Sequence, residues 1–217
     1  MTKTKIRAFP IAVEGWPFAG IALGLTLVSY LFSFPVATFL FGAISLFILQ
    51  FFRNPERQGS RDEKDILSPA DGEVIGIELT HDERFLKDKA VRISIFMNVF
   101  NVHVNRSPCA GVVKKIVWSP GKFFAANAEK ASLENEQNAI LLEHSSGQRI
   151  LFIQIAGLIA RRILCYVKEG DRLEKGERCG IIKFGSRVDI YLPAGSEIRV
   201  RLKEKVKAGE TTIGQFR

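Results

Sequence analysis

The residue pair with the clearest chemical potential is Gly185-Ser186, in the run Cys179-Gly180-Ile181-Ile182-Lys183-Phe184-Gly185-Ser186-Arg187-Val188-Asp189. A Gly-Ser pair on its own is most often a turn, because glycine takes positive φ freely and serine bonds its own backbone. Here the pair lies between Ile181-Ile182 and the run 188–192, in which Val188, Ile190 and Leu192 alternate with Asp189 and Tyr191. That alternation predicts a half-buried strand. A serine hydroxyl held beside a glycine peptide can attack the glycine carbonyl. The resulting ester can lose its acyl oxygen by β-elimination, leaving dehydroalanine. Tautomerisation and loss of ammonia then give an N-terminal pyruvoyl group.

Few other side chains offer chemistry. The histidines are His81, His103 and His144. His81 sits in a polar run and His144 in a predicted hairpin turn, so both read as surface residues. His103 lies in Phe100-Asn101-Val102-His103-Val104-Asn105, where polar and apolar residues alternate, so a hydrogen-bonded strand position is the plain reading. Asp71, between Ala70 and Gly72, has the chemistry of a turn residue. Cys109, Cys165 and Cys179 show no metal or disulfide spacing and read as reduced packing residues. Histidines, cysteines and carboxylates show no metal-ligand spacing, and no glycine-rich loop opens a helix after a strand. The net charge of +8 is scattered and half of the aromatics lie in the N-terminal hydrophobic part, which argues against nucleic-acid binding.

The elements that must position these residues fall into two parts, 1–57 and 58–217. From Gly15 to Phe52 no residue is charged. The run is too long and apolar for a helix of a soluble core, and too long for a signal peptide. Pro35 divides it into residues 17–34 and 36–52, each just long enough to cross a bilayer. Gly20 and Gly24 have the spacing that lets two membrane helices approach closely. Lys3, Lys5 and Arg7 precede this hydrophobic hairpin and Arg53 and Arg57 follow it, so both ends are expected on the cytoplasmic side. A shallow re-entrant hairpin is the alternative. Residues 54–64 read as a polar linker. Beyond them, strands are predicted at 72–77, 91–96, 111–118, 138–143, 149–155 and 188–192, with 198–202 alternating likewise. The turn Ser145-Ser146-Gly147 joins two of them into a hairpin. A short helix is predicted at 159–167 and a helical turn near 125–133. The soluble part is therefore all-β or β-dominated α+β, and residues 69–74 and 167–176 resemble half-motifs of barrel-sandwich folds. A carrier function is weak, since neither Met1 nor Met97 precedes a lysine.

Residues 170–189 resemble the processing region of phosphatidylserine decarboxylases, in their short (type A) form. The likeness extends to Phe51-Phe52-Arg53-Asn54-Pro55-Glu56-Arg57, Ser68-Pro69-Ala70-Asp71-Gly72 and Asn101-Val102-His103-Val104-Asn105-Arg106-Ser107-Pro108, in the expected order. The resemblance implies self-cleavage between Gly185 and Ser186 into chains 1–185 and 186–217. It implies a covalent pyruvoyl cofactor at position 186, a Schiff base with phosphatidylserine, and release of phosphatidylethanolamine after decarboxylation. It assigns catalysis to Ser186 and His103, with Asp71 as the acid that orients the imidazole. Longer members carry a second histidine where Arg106 stands, so a two-histidine mechanism does not transfer; a guanidinium there suits the substrate's phosphate or carboxylate. The partners implied are a phospholipid, a membrane and the chain's own cleaved small chain, with the catalytic part on the cytoplasmic face of the cell membrane. Two other readings are a pyruvoyl decarboxylase of a different amino-acid-headed substrate and a non-enzymatic β-domain tethered to a membrane.

Overall fold

The computed structural model describes residues 10–122, 124, 134–157, 162–183 and 186–217. The chain forms two compact units, residues 1–56 and 57–217.

The first unit is a helical hairpin, α1 (Trp16–Leu31) and α2 (Pro35–Phe51). Pro17 lies in the first turn of α1, where a missing N–H costs nothing. Pro35 does not lie in the break, as the sequence suggested. It opens α2, and the chain turns through Phe32, Ser33 (φ 58°) and Phe34 instead. The helices have 16 and 17 residues, or about 24 and 26 Å at 1.5 Å per residue, against a hydrocarbon core of roughly 30 Å. Among the described residues no helix is long and apolar enough to cross a membrane, which corrects the expected spanning lengths. The expected role of Gly20 and Gly24 is also corrected: a Cβ at either would meet nothing within 4 Å, so neither lines the helix contact. Buried Ala19 and Ala22 do so. The hydroxyls of Thr26 and Ser45 meet at 3.3 Å, and Thr38 Oγ1 donates to Ser29 Oγ at 3.2 Å. The open end is tied by backbone bonds from Ala12 N to Phe52 O and Asn54 N to Pro10 O, each 2.7 Å.

The second unit is strand-dominated. Its strands are β1 (Asp65–Leu67), β2 (Gly72–Asp82), β3 (Asp88–Met97), β4 (Val104–Arg106), β5 (Gly111–Ser119), β6 (Gln137–Glu143), β7 (Arg149–Ala156), β8 (Ile163–Cys165), β9 (Arg172–Leu173), β10 (Arg178–Ile182), β11 (Ser186–Pro193), β12 (Glu197–Ile198), β13 (Lys205–Val206) and β14 (Thr212–Gln215). Eight form one antiparallel sheet in the order β13-β2-β3-β11-β7-β6-β5-β9. Two three-stranded sheets, β1-β14-β12 and β4-β10-β8, complete the unit. A core that includes Val74, Ile95, Ile140, Phe152, Cys179, Ile182, Val188, Ile190 and Ile213 draws on all three.

β6 and β7 form the predicted hairpin, closing with Glu143 opposite Arg149. Three expectations need correction. β11 is buried on both faces rather than half-buried, because Val188, Ile190 and Leu192 enter the main core while Tyr191 on the second face joins a cluster with Ala139, Leu141, Leu151, Ile153 and Ile155, against which Phe85 and Leu86 pack. Residues 163–165 are not helical: they pair with β10, whose edge supplies hydrogen bonds that local helix propensity could not outweigh. The alternation at 198–202 ends as a strand at Ile198, and the chain turns near Lys203, with φ 66°, before β13. The helical turn expected near 125–133 and the start of the helix expected from 159 lie outside the described residues.

Candidate active site

Ser186 opens the central strand. Its backbone is paired with Met97 on β3 and Ala156 on β7, and it is completely buried. Strand alternation puts Ser186, Val188, Ile190 and Leu192 on the core side of the sheet. The Ser186 hydroxyl points at the Met97 thioether, Oγ to Sδ 3.3 Å. Phe184 and Gly185 lie outside the described residues.

His103 stands just before β4, also completely buried. Its Nδ1 lies 3.0 Å from Asn101 O. A carbonyl can only accept, so the neutral imidazole carries its proton on Nδ1 and its lone pair on Nε2, the form required of a base. Asn101 is itself held in a tight turn: its N donates to Asn98 O at 3.0 Å, and its Oδ1 accepts from Asn98 N at 2.9 Å. The His103 carbonyl accepts from Ile182 N at 3.3 Å. The histidine is therefore stitched to β10, the strand that leads directly to residues 184–186.

Asp71 is not brought to His103. Its Oδ2 accepts from Arg57 Nη2 at 2.9 Å and its Oδ1 from Ala208 N at 2.8 Å, and both side chains of the ion pair are nearly buried. What Asp71 holds is the turn 68–71 against residue 208. That turn accepts Arg106 N through Pro69 O at 3.0 Å, so it fixes the far end of β4. The imidazole is oriented instead by the Asn101 carbonyl, a contact without any side-chain signature in the sequence. Arg106 is buried, donates from Nη1 to Gly176 O at 2.8 Å, and packs so closely on Gly209 that a Cβ there would come within 2.7 Å of Arg106 Cδ. His81 is exposed and His144 stacks on Phe216 at 4.9 Å, both apart from Ser186.

Two polar clusters around Ser186 escaped the sequence reading. On the core side, Asn138 Nδ2 donates to Gln154 Oε1 at 2.9 Å, Gln154 Nε2 donates to Asn105 Oδ1 at 2.8 Å, and Asn105 Nδ2 faces Met97 Sδ at 3.9 Å. Asn105 and Gln154 are completely buried and Asn138 nearly so. On the opposite side of the sheet Arg187 makes a two-pronged pair with Asp189, 2.6 and 3.1 Å, and donates to Ser94 Oγ at 2.8 Å. The only cue in the sequence was a run of polar residues at strand positions, which equally describes a solvated face. Burial also pushes the Cys109 thiol up to about 12 and raises Cys179 well above its ordinary value, so both are inert packing groups. Among the described residues no group of three or more histidines, cysteines or carboxylates is placed to hold a metal ion.

The described residues thus include a buried serine hydroxyl at the head of β11, an imidazole just before β4 whose neutral form presents Nε2 as a base, and buried amide donors, which are the types of group that acyl transfer uses. The sequence carries an independent statement of kinship. Residues 44–214 match the sequence profile of the family described as phosphatidylserine decarboxylase. The phosphatidylserine decarboxylase proenzyme of Desulfotalea psychrophila is 50% identical over 207 residues, covering 95% of this chain and 97% of that one. That of Syntrophus aciditrophicus is 51% identical over 209 residues, with 95% and 97% covered, and that of Paraburkholderia xenovorans is 47% identical over 206, with the same coverage. With matches of this length and a buried serine where processing would occur, the chain belongs to the phosphatidylserine decarboxylase family.

Proposed function

We propose that this chain is the proenzyme of a pyruvoyl-dependent phosphatidylserine decarboxylase that works at a membrane surface. The observation that carries the reading is Ser186: a fully buried hydroxyl heading the central strand, in a chain of this family. In processing, His103 Nε2 takes the Ser186 Oγ proton, directly or through water, as Oγ attacks the carbonyl carbon of residue 185. The C–O bond forms, the C–N bond breaks, and the proton passes to the Ser186 nitrogen. Removal of the Ser186 Cα proton then expels the residue-185 carboxylate from Cβ. The dehydroalanine tautomerises to an imine, and water converts it to the pyruvoyl group with loss of ammonia. When formed, that group supplies an electrophilic ketone that condenses with the substrate amine and accepts electrons as carbon dioxide leaves.

Other roles rest on the same reading. Asp71 supports the site as a positioning residue through the 68–71 turn and β4. Arg106 is the candidate for the substrate's phosphate or carboxylate, its guanidinium fork being suited to oxyanions. The small chain 186–217 stays with the large one, because β11 is bonded to β3 and β7, and β14 to β1.

The hairpin is the membrane element. Its exposed side chains are mostly apolar, Phe32 and Phe34 at its tip among them, with no charge between Gly15 and Phe52. A spanning hairpin would put this tip in water; a tip left in hydrocarbon, entered from one face, accords with helices of this length. The flanking lysines and arginines favour the cytoplasmic face.

The test is intact mass measurement of purified protein with Ser186→Ala as control. The wild type should yield two chains, the smaller beginning with a blocked residue 186 and captured by phosphatidylserine under cyanoborohydride; Ser186→Ala should remain one chain. An active wild-type preparation consisting only of uncut chain overturns the proposal.

A further inference from the structure

The chain of three buried amides beside Ser186 has a direction. Each carboxamide has one accepting and one donating end. Asn138 donates to Gln154 Oε1, which commits Gln154 Nε2 to donating, and it donates to Asn105 Oδ1. That commits the Asn105 NH₂ to the far end of the chain, where the atom it faces is the sulfur of Met97 at 3.9 Å. The same sulfur receives the Ser186 hydroxyl at 3.3 Å. Thioether sulfur is a weak acceptor, and a buried amide donor so poorly satisfied has a standing cost. The surroundings are shaped to keep the arrangement. Gln154 lies opposite Asn138 in the β6–β7 ladder, and a Cβ at Gly180 would come within 2.7 Å of Gln154 Nε2, so only glycine leaves that amide its place.

We propose that Asn105 is a catalytic residue of self-cleavage, its carboxamide being the donor for negative charge that develops on the residue-185 carbonyl oxygen, and that Gln154 is a positioning residue that fixes the polarity of that donor. The carbonyl carbon of residue 185 is bonded directly to the Ser186 nitrogen, so the charge develops next to the serine whose hydroxyl shares the Met97 sulfur with this donor. A buried donor oriented before reaction stabilises such charge far better than one that must reorient. Met97 holds both the hydroxyl and the amide in waiting without satisfying either strongly, so the resting chain keeps its reactive groups in place.

This inference rests on Ser186 processing, and the test separates the two. Newly synthesised full-length chain, made by cell-free translation with liposomes, is followed on denaturing gels. Asn105→Leu, similar in volume but without a donor, should slow conversion to the two chains by about 100-fold or more. Gln154→Met should slow it less, because the Asn105 amide keeps its NH₂ but loses its orientation. Hydroxylamine cleaves the ester formed by the acyl shift. It should not restore cleavage of Asn105→Leu, since the block precedes the ester, whereas a packing defect acting later would be rescued. Thermal unfolding of each variant in the Ser186→Ala background should stay close to that of Ser186→Ala alone. Conversion of Asn105→Leu at the wild-type rate, or its rescue by hydroxylamine, overturns the assignment while leaving the processing reading intact. If Ser186→Ala itself is cleaved, the processing reading fails first.

Discussion

At the scale of single residues, burial decides what each polar group can do. The Arg187–Asp189 pair has its charges almost wholly out of water, satisfied by each other and by Ser94. Removing one partner strands the other, so Arg187→Ala in the Ser186→Ala background should cost about 3–5 kcal/mol in urea unfolding. Replacing both at once, Arg187→Met with Asp189→Leu, should cost much less, because no charge is left unpaired. A single variant as stable as its parent would show that water reaches the pair. The buried thiol of Cys109 gives a pH dependence. Its folded value near 12 lies above the ordinary 9.0, so the folded state holds this proton where the unfolded chain has released it. The resulting stability is complete below pH 9 and is lost as pH rises from there towards 12. The urea midpoint should therefore fall between pH 8.5 and pH 10.5, and Cys109→Ala should flatten that slope.

At the scale of elements, the site depends on two strands from different sheets meeting at Ser186. β10 ends just before residues 184–185 and β11 begins at Ser186, while Asn105 lies in β4, beside β10, and His103 just before it. Gly180 is the tightest point of this meeting: a Cβ would come within 2.6 Å of Leu164 O as well as 2.7 Å of Gln154 Nε2. Backbone on one side and a committed amide on the other leave little room to yield. Gly180→Ala should thus push β8 and Gln154 apart, slow chain conversion, and lower stability by about 1–3 kcal/mol, typical of overpacking. Conversion and melting temperature together check this; an unchanged pair of values would mean that the strands part freely here.

At the scale of the whole molecule, cleavage should change covalent connection without changing the fold. β11 is flanked on both sides and β14 is paired with β1 and β12, so the segment 186–217 is woven into two sheets. The two chains should co-elute on size exclusion in mild detergent and separate only in denaturant; release of the small chain without denaturant would contradict this. The hairpin makes the other molecular prediction. With its apolar tip in hydrocarbon, Ser33→Cys should resist a water-soluble maleimide from either side of intact membranes, while a cysteine at position 57 should label from the cytoplasmic side once the protein is unfolded. Rapid labelling at position 33 from the outside would establish a spanning hairpin instead.

Some of this was legible in the sequence because it rests on local physics. The uncharged run from Gly15 to Phe52 specified an apolar helical pair, the alternation at 91–96 and the apolar runs at 138–143 and 149–155 specified strands, and Ser145-Ser146-Gly147 specified the hairpin turn between the last two. The Gly-Ser pair and His103 were recognisable by motif. What tertiary structure decided was which groups meet. Asp71 has the chemistry of a turn residue and the family resemblance assigns it to a histidine, yet its carboxylate is taken by Arg57 and the Ala208 N–H, from 14 residues before it and 137 after. Asp189 reads as lying on the open face of a half-buried strand, yet an apolar cluster lies on that side of the sheet and Arg187 pairs with Asp189 there. Residues 163–165 read as helix, until the edge of β10 offered them a ladder. Asn105, Gln154 and Asn138 are ordinary polar residues in three distant stretches, and only the meeting of two sheets turns them into a directed line ending at the Met97 sulfur that Ser186 also faces. Periodicity reports which face of an element is apolar; it carries no information about which distant partner will satisfy a buried polar group, since that depends on strand order.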